Sequence, residues 1–463
     1  MFKKIPIWLL LFILILFIIF IPIYGFILTS SFKTGLMYNT LLGNTSEAIA
    51  NFPRNVNRSF RALSTSVDKV DNEQKIEGGF NLKENIKLNN TLALVEKIDK
   101  KTDLKFVELI DPISKKILHD WKIPSEQLRK ILKMDELSNL RSLKGINLPK
   151  LNLNDGSIVF MFSNEESQIL IKMDRNSNIE WILHDNESDE FSTFHNNYGL
   201  DYDGNIYSPV FMNKKNQLSD YIKSKASRHV EHSYEDQGYV KVSKNGKILD
   251  VVSITEILMR NNLGIYIYGV GPLEWDALHI NDIEPALFDG AGWKKNDLLI
   301  SSRHLSLIFI YRPSTDKIVW HKFGPWINQH DPDFIDYKTI TVFGNDLISH
   351  HFNRVDTQDY MLTNKNKKNN IWKYDFYEDR ATKIFEDAIN KSRFKTYTGG
   401  SHYFDGKNFL SNYYDNMGVT EFYYANKIVG QFSQIASDGK VYLTSDVQFI
   451  KYENFPKWLK FSE

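Results

Sequence analysis

Short apolar runs separated by polar turns follow one another from about residue 85 to the end of the chain. In six segments an apolar run, a turn and a second run with a bulky residue near its end occur in the same order. The Asn245-Gly246 pair in one of them is the strongest two-residue signal for a β-hairpin. The six predicted hairpins span residues 106–123, 169–185, 239–254, 307–323, 371–388 and 421–435.

The hairpins recur at intervals of roughly 45–70 residues, and another pair of short apolar segments precedes most of them. Four strands per repeat at this period is typical of a β-propeller blade. A large β-sandwich is the alternative, but the recurrence of one order favours the propeller. The pattern therefore predicts an all-β fold, a six-bladed β-propeller over residues 85–455, with Trp121, Trp181 and Trp320 at equivalent blade positions. Residues 123–143 have a helical period and are predicted to be a helical insertion between blades.

The N-terminal segment has a different pattern, because Ile5–Leu28 contains 24 residues without a charge. As a helix this run is about 36 Å long, enough to cross a hydrocarbon core of about 30 Å. Lys3 and Lys4 precede it, which predicts a cytoplasmic N-terminus and an extracytoplasmic remainder, periplasmic in a bacterium. We interpret residues 1–32 as an uncleaved transmembrane signal anchor and residues 33–84 as a juxtamembrane stalk, with a cleaved signal peptide as the alternative.

Composition narrows the classes of function. The chain has 57 basic and 57 acidic residues, scattered rather than clustered, so no global charge attracts nucleic acid. Cysteine is absent, which excludes a thiol nucleophile and a cysteine-ligated metal. Aromatic residues make up 14% of the chain, as suits strands. The sequence indicates no metal site and leaves open whether the chain forms a homo-oligomer.

Polar residues stand at similar positions in several of the predicted blades. Propellers bind ligands at the mouth of the central channel, where the loops that lead into the innermost strands converge. We assign the innermost position to the "DG"- and "ND"-type strands, such as "YDGNIYSPVF" and "NDLLISSRH". The candidate residues near them are His195, His279, Arg303, His330 and His402. Single histidines are usually structural, but their repetition at one phase of successive blades indicates a shared site.

The stretch "DALHINDIEPALFDGAGWKKNDLLISSRHLSLIFIYRPSTDKIVWHKFGP", followed by "NQHDPDF" and "ITVFGND", resembles the arylsulfotransferase family, the PAPS-independent aryl-sulfate sulfotransferases. That family has an "HxN" element, an "L(L/I)SSRH" strand, a "GkivW" hairpin and a "QH" loop in this order. The resemblance covers roughly residues 85–440 and is strongest over 276–347. It implies a six-bladed propeller and transfer of a sulfuryl group from a phenolic sulfate ester to another phenol through a sulfated histidine.

The resemblance also implies roles for individual residues. His330 in "NQHDP" matches the histidine that becomes sulfated, and His279 and Arg303 match the "HxN" histidine and the "SSRH" arginine. His195 matches a further channel histidine, while Asn281 and His402 are candidates for substrate binding. The partners implied are an aryl sulfate donor and a phenolic acceptor, with no cofactor. Asp331 or a neighbouring carbonyl is a candidate to orient the His330 ring.

Two features separate this chain from the family pattern. The insertion "EPALFDGAGWKK" between "HIN" and "SSRH" is expected to reshape the acceptor pocket, and the disulfide of some members cannot form here. A membrane-anchored, non-catalytic binding or assembly propeller is the main alternative function. A quinone-dependent propeller dehydrogenase is less well supported, because its acidic calcium site and vicinal cysteines are not visible in the sequence.

Overall fold

The described part of the chain belongs to one compact unit, which spans residues 66–463. The computed structural model describes residues 69–70, 75–83, 86, 88–100, 105–124, 127–128, 146–163, 168–185, 187–195, 197–213, 234–268, 276–346, 369–392, 400–403, 409–414, 418–443, 447–452 and 455–459. The predicted anchor and most of the predicted helical insertion lie outside these residues. Among the residues described, no helix is both long enough and apolar enough to cross a membrane.

Six antiparallel sheets of four or five strands form the blades. Two strands precede the first blade, β1 (Lys69–Val70) and β2 (Gly79–Leu82). Blade 1 contains β3 (Thr91–Ile98), β4 (Lys105–Ile110) and β5 (Ile117–Lys122). Blade 2 contains β6 (Ile146–Leu151), β7 (Ile158–Ser163), β8 (Gln168–Met173) and β9 (Ile179–His184). Blade 3 contains β10 (Phe191–Phe194), β11 (Gly199–Leu200), β12 (Ile206–Met212), β13 (Gln237–Val242) and β14 (Ile248–Ser253).

The remaining strands follow the same plan. Blade 4 contains β15 (Ile280–Pro285), β16 (Leu298–Ser302), β17 (Leu307–Arg312) and β18 (Lys317–Phe323). Blade 5 contains β19 (His330–Asp336), β20 (Thr339–Gly344), β21 (Asn370–Asp375) and β22 (Arg380–Ile384). Blade 6 contains β23 (Gly400–Tyr403), β24 (Phe409–Tyr414), β25 (Val419–Tyr424) and β26 (Lys427–Ser433), and β27 (Val441–Tyr442) and β28 (Val447–Lys451) end the series. The helices among the residues that the structure describes include α1 (Ile254–Arg260), α2 (Ile265–Tyr268) and α3 (Glu386–Lys391), with a 3₁₀ turn at Pro313–Thr315.

The two ends of the folded unit close the ring of blades. β28 pairs with β3, so that a C-terminal strand becomes the innermost strand of the first blade. β2 pairs with β26 at the outer edge of blade 6, and β1 pairs with β27. Residues that the sequence analysis placed in the stalk therefore contribute strands to the folded unit. The predicted all-β, six-bladed propeller is confirmed.

The position of a strand in its blade explains its composition. β16 and β17, in the middle of blade 4, are almost entirely buried because neighbouring blades cover both of their faces. The outermost strand β18 has only exposed and partly buried residues. The innermost strands line the channel and tolerate polar side chains.

One assignment from the sequence is corrected: the "DG"- and "ND"-type strands β7, β12, β16, β20 and β24 are the second strands of their blades, not the innermost ones.

The tryptophan repeat holds for two of the three predicted residues. The pairing register shifts by one residue in the outermost strands β9 and β18. Trp181 and Trp320 are the first paired residues after this shift. In β5 the same position is held by His119, and Trp121 lies two residues further along. Trp181 Nε1 donates to the carbonyl of Lys244 in the next blade at 3.0 Å, and His119 Nε2 donates to that of Arg175 at 2.7 Å. The outer position is therefore occupied by a ring that donates to the next blade, which either residue type supplies.

The loop between β15 and β16 lies at the opposite end of blade 4 from His279 and Arg303. β15 begins just after His279 and ends at Pro285, whereas β16 begins at Leu298 and ends just before Arg303. Trp293 in this loop is buried against Phe334 and Phe376. The prediction that this insertion reshapes the acceptor pocket was wrong, because an antiparallel hairpin places its connecting loop at the far end of the sheet.

Candidate active site

Four of the sequence-predicted residues meet at one end of blades 3, 4 and 5. His279 precedes β15, Arg303 follows β16, and His330 is the first residue of β19. His195 lies between β10 and β11, which both pair with β12, so the innermost strand of blade 3 is interrupted there. The start of each innermost strand and the end of the second strand lie at the same end of a sheet, which brings residues distant in sequence together.

His279 forms a dyad with Asp276. Its Nδ1 donates to Asp276 Oδ2 at 2.6 Å, and Gln237 Nε2 donates to the other carboxylate oxygen at 2.5 Å. Gln237 Oε1 also accepts from the backbone of Ile280 at 2.6 Å, which fixes the loop. Burial raises the pKa of Asp276, but the hydrogen bond and charge of His279 outweigh it and lower this pKa. The ionised carboxylate keeps the proton of His279 on Nδ1 and directs Nε2 away from Asp276.

His304 connects this dyad to Arg303. Its Nδ1 donates to the carbonyl oxygen of Asp276 at 2.6 Å, and its Nε2 accepts from Arg303 Nη1 at 2.7 Å. The backbone of Arg303 donates to the carbonyl of His279 at 3.0 Å. Burial, followed by the charge of His279, lowers the pKa of His304 to about 3, so the ring is neutral and can accept from the guanidinium. His304 therefore holds the Arg303 side chain in place.

His195 packs against His279 from the neighbouring blade. Their ring centroids are 5.0 Å apart, and the rings are nearly perpendicular. Nδ1 of His195 donates to the carbonyl of Ile280 at 2.9 Å, and its ring contacts the edge of Phe211. Burial, followed by the charge of His279, lowers the pKa of His195 to about 4. His195 is therefore a neutral imidazole at pH 7, directed at the same end of the channel.

His330 is held by an amide rather than by a carboxylate. Its Nδ1 lies 2.7 Å from Asn345 Oδ1, and an amide oxygen only accepts, so the proton is on Nδ1 and Nε2 carries the lone pair. This partner is Asn345, not Asp331, which the sequence analysis had considered. Burial, followed by the charge of Arg303, lowers the pKa of His330 to about 3. The ring is therefore a neutral base with a defined tautomer at pH 7.

The other two predicted residues have different surroundings. Asn281 is 2% exposed, and its Nδ2 donates to the carbonyl of Gln329 at 2.7 Å, directly before His330. This placement favours a positioning role for Asn281 over contact with a substrate. His402 lies in the innermost strand β23 and pairs with Ser411, and its side chain lies outside what the structure describes.

Sequence reasoning missed Asp276, Gln237, His304 and Asn345. Two signals were present. His304 is the last residue of the "SSRH" motif, and Asn345 follows β20 as Arg303 follows β16, so the two occupy equivalent places in successive blades. Gln237 left no signal, because it lies at the start of an ordinary strand of blade 3.

One group of side chains has the spacing of a metal site. Among the described residues, ligand atoms of Asp276, His279 and His304 lie within 4.8 Å of one another. Hydrogen bonds already engage both nitrogens of His304 and both oxygens of Asp276. A metal ion would have to displace these bonds, so we interpret the group as a hydrogen-bonded network.

The depressed pKa values predict acid sensitivity of the fold. For His195, His304 and His330 the folded-state pKa lies near 3 to 4, below the unfolded value of about 6.5. Their contribution to stability is therefore full above about pH 6.5 and is lost as the pH falls towards 3 to 4. Each histidine should contribute up to about 1.4 kcal/mol per pH unit in this window.

Urea unfolding at several pH values between 7.5 and 4.5 measures this slope. The free energy of unfolding should change less steeply with pH in the His330→Asn variant than in the parent. The difference should correspond to at most one proton taken up on unfolding. An identical slope in both proteins would show that His330 is not a buried neutral ring.

The protein is a six-bladed propeller that carries a cluster of histidines and an arginine at one mouth of its channel. The family model of arylsulfotransferase (ASST) matches residues 151–434, more than half of the 463 residues. The chain therefore belongs to the arylsulfotransferase family, which confirms the resemblance found in the sequence. The family implies a sulfotransferase-type enzyme.

No curated protein matches the chain significantly. Among solved structures, a protein of unknown function from Bacteroides caccae shares 11% identity, with 78% of this chain and 99% of that chain covered and a TM-score of 0.43. Virginiamycin B lyase from Staphylococcus aureus shares 10% identity, with 81% and 87% covered and a TM-score of 0.35. Hydrazine synthase from Kuenenia stuttgartiensis shares 9%, with 77% and 95% covered and a TM-score of 0.40. These TM-scores are too low to support an inference about this chain.

Proposed function

We propose that the chain transfers a sulfuryl group from an aryl sulfate ester to a phenolic acceptor through a sulfated His330. The observation that carries the proposal is the hydrogen bond from His330 Nδ1 to Asn345 Oδ1, which leaves the lone pair on Nε2. A neutral imidazole with its lone pair on a defined nitrogen is a competent nucleophile. The depressed pKa keeps His330 in this form at any pH well above about 3.

In the first proposed step, His330 Nε2 attacks the sulfur of the donor. The N–S bond forms as the S–O bond to the aryl group breaks, and the electron pair of that bond leaves with the phenolate. Sulfuryl transfer is similar to phosphoryl transfer, in which positioning and charge neutralisation supply most of the catalysis. Arg303 would neutralise the sulfonate oxygens, and protonated His279 would give a proton to the leaving phenolate.

In the second step, the acceptor phenol loses its proton to Nε2 of His279 and attacks the sulfur of sulfated His330. The new S–O bond forms as the N–S bond breaks, and the electron pair returns to Nε2 of His330. The carboxylate of Asp276 stabilises His279 while it carries the extra proton, because Nδ1 donates to this carboxylate. His195, 5.0 Å from His279 between ring centroids, is placed to bind the phenolic oxygen of either substrate.

Replacing Asp276 with asparagine should separate the two steps. Gln237 Nε2 faces Oδ1 of Asp276, so the new amide would keep its oxygen there and present its NH₂ to His279 Nδ1. His279 would then carry its proton on Nε2 and could not accept one from a phenol. With 4-nitrophenyl sulfate, whose leaving group needs little protonation, a stoichiometric burst should remain. Steady-state turnover should fall by about 10² or more.

Rapid mixing followed at the absorbance of nitrophenolate measures both quantities. The matched control is Asp336→Asn at the far end of β19, where the carboxylate accepts from the backbone of Lys338. This control should behave as the parent protein. Equal losses of burst and turnover in Asp276→Asn would contradict the role assigned to the dyad.

Initial rates with varied 4-nitrophenyl sulfate and phenol test the proposed function itself. A covalent intermediate predicts parallel double-reciprocal lines, since the donor product leaves before the acceptor reacts. Intersecting lines would indicate direct transfer between the two substrates. Inertness towards a broad panel of sulfate esters would favour a non-catalytic binding module.

A further inference from the structure

Gln329, the residue directly before His330, is a fully buried amide between blades 4 and 5. Its Nε2 lies 3.0 Å from Ser301 Oγ and 3.1 Å from the carbonyl oxygens of both Ser302 and Leu307. A carbonyl oxygen only accepts hydrogen bonds, so the NH₂ group of the side chain must face these atoms. The side chain therefore donates to blade 4, while the main chain of Gln329 leads into the innermost strand of blade 5.

The acceptors of this amide lie on both sides of the turn that carries Arg303. β16 ends at Ser302 and β17 begins at Leu307, so the turn stands between the two carbonyl groups. Within the turn, the backbone of Ser306 donates to the carbonyl of Arg303 at 3.1 Å. Ser306 Oγ accepts from the backbone of Asn328 at 3.3 Å, which is a second tie to blade 5. The turn is thus fastened at both ends to the segment before His330.

The main chain of Gln329 is fastened as well. Its carbonyl accepts from Asn281 Nδ2 of β15 at 2.7 Å. Apolar residues also join the two blades, since Leu299 and Ile308 of blade 4 pack in one cluster with Ile340 of blade 5. Apolar packing has no preferred direction, whereas hydrogen bonds require a defined distance and angle. The relative position of the two blades at this end of the channel is therefore set by the bonds of Gln329.

We propose that Gln329 is a positioning residue that sets the separation between the His330 ring and the Arg303 guanidinium. His330 follows it directly in blade 5, and Arg303 follows its acceptor Ser302 directly in blade 4. The geometry stands by itself, but the expected effect on rate rests on the proposed function. Group transfer depends closely on the placement of the reacting groups, and a displacement of about 1 Å can cost about 10²-fold in rate.

The test is Gln329→Met in the full-length protein. Methionine keeps the length of the side chain and removes the donor group. Oε1 of Gln329 has no partner among the described residues, so no acceptor is lost with it. A crystal structure of the variant should show the Arg303 guanidinium displaced from the His330 ring by about 1 Å relative to the parent. At saturating 4-nitrophenyl sulfate, the burst rate constant should fall by about 10²-fold.

Gln434→Met is the matched control, because Gln434 is also a buried glutamine between two blades. It follows the last strand of blade 6, and its Oε1 accepts from the backbone of Ile98 in blade 1 at 2.9 Å. Its Nε2 donates to the carbonyl of Glu96 at 3.1 Å. The control should lose stability in urea unfolding as Gln329→Met does. It should keep the parent burst rate constant, since its blades carry none of the candidate catalytic residues.

A double-mutant cycle with Arg303→Met separates positioning from a general structural role. Once the guanidinium is absent, its distance from His330 no longer affects the rate. Gln329→Met should therefore lower the burst rate constant by less than about threefold in the Arg303→Met background. Gln329→Asn keeps the amide but is too short to reach both sides of the turn. It should lower the burst rate constant by about tenfold, and it takes the place of Gln329→Met in the cycle if that variant does not fold.

The proposal and the proposed function can fail separately. An unchanged separation of Arg303 from His330 in Gln329→Met would overturn the positioning role. So would the same loss of burst rate constant with and without Arg303. A changed separation in a protein that releases no burst from any aryl sulfate would support the positioning role and contradict sulfuryl transfer.

Discussion

Replacement of His330 by asparagine is expected to abolish sulfuryl transfer, with a loss in kcat of at least about 10³-fold. Asparagine is polar and can still bond to Asn345, but it has no basic nitrogen with which to attack sulfur. The loss should appear in kcat rather than in donor affinity, because a nucleophile acts on the chemical step. Release of nitrophenol from 4-nitrophenyl sulfate measures both the burst and the steady state.

The matched control is His321→Asn. His321 is exposed on the outermost strand β18 of blade 4, so the same chemical change is made away from the channel. The control variant should retain the parent rate, and near-identical circular dichroism of both variants would show that the propeller is intact. Turnover by His330→Asn at the parent rate would refute covalent catalysis at this residue.

Replacement of Arg303 should have the second largest effect. Arg303→Met removes the charge that we assign to the sulfonate oxygens and should lower kcat/KM by about 10³-fold. Arg303→Lys restores a point charge but not the planar pair of donors. Its kcat/KM should lie between those of the parent and Arg303→Met, about 10- to 100-fold below the parent. Arg260→Lys is the control, since Arg260 is an exposed residue of α1 paired with Asp316.

The pH dependence separates this role from a structural one. The charge of Arg303 contributes to the low pKa of His330, so its removal should raise that pKa from about 3. The acidic limb of the kcat/KM profile should therefore move to higher pH in Arg303→Met. In Arg303→Lys the limb should stay near its original position, because the charge is retained. Identical profiles in all three proteins would contradict the proximity of Arg303 to the nucleophile.

The sequence predicted the fold because each blade repeats the same hairpin. The middle strands have strong apolar runs and polar turns separate the strands, and these are local signals. The innermost strands were assigned wrongly, because their signal is weak: they face a polar channel, and in blade 3 the strand is interrupted at His195. Trp121 does not occupy the position that Trp181 and Trp320 share, and the sequence did not predict this difference. A register shift within a strand cannot be recognised from residue spacing alone.

Residues of the candidate site could be predicted only where a chemically suitable side chain stands in a recognisable sequence motif. His279, Arg303 and His330 stand in ordered motifs, and the structure brings their blades together. Their hydrogen-bond partners depend on contacts between distant segments. Gln237 reaches Asp276 across 39 positions of the chain, and the spacing of single residues does not indicate such a contact. Asn345 could have been inferred by aligning successive blades, because it is the counterpart of Arg303.

In the proposed mechanism, Nε2 of His330 carries the sulfuryl group between the two half-reactions. The most direct measurement is mass spectrometry of the parent protein after incubation with 4-nitrophenyl sulfate without an acceptor, quenched and digested under alkaline conditions that preserve N–S bonds. We expect one added sulfuryl group on the peptide that contains His330, and its loss when phenol is added before the quench. An unmodified His330 peptide in protein that has released a stoichiometric burst of nitrophenol, or a sulfuryl group on a different residue, would contradict the proposed mechanism.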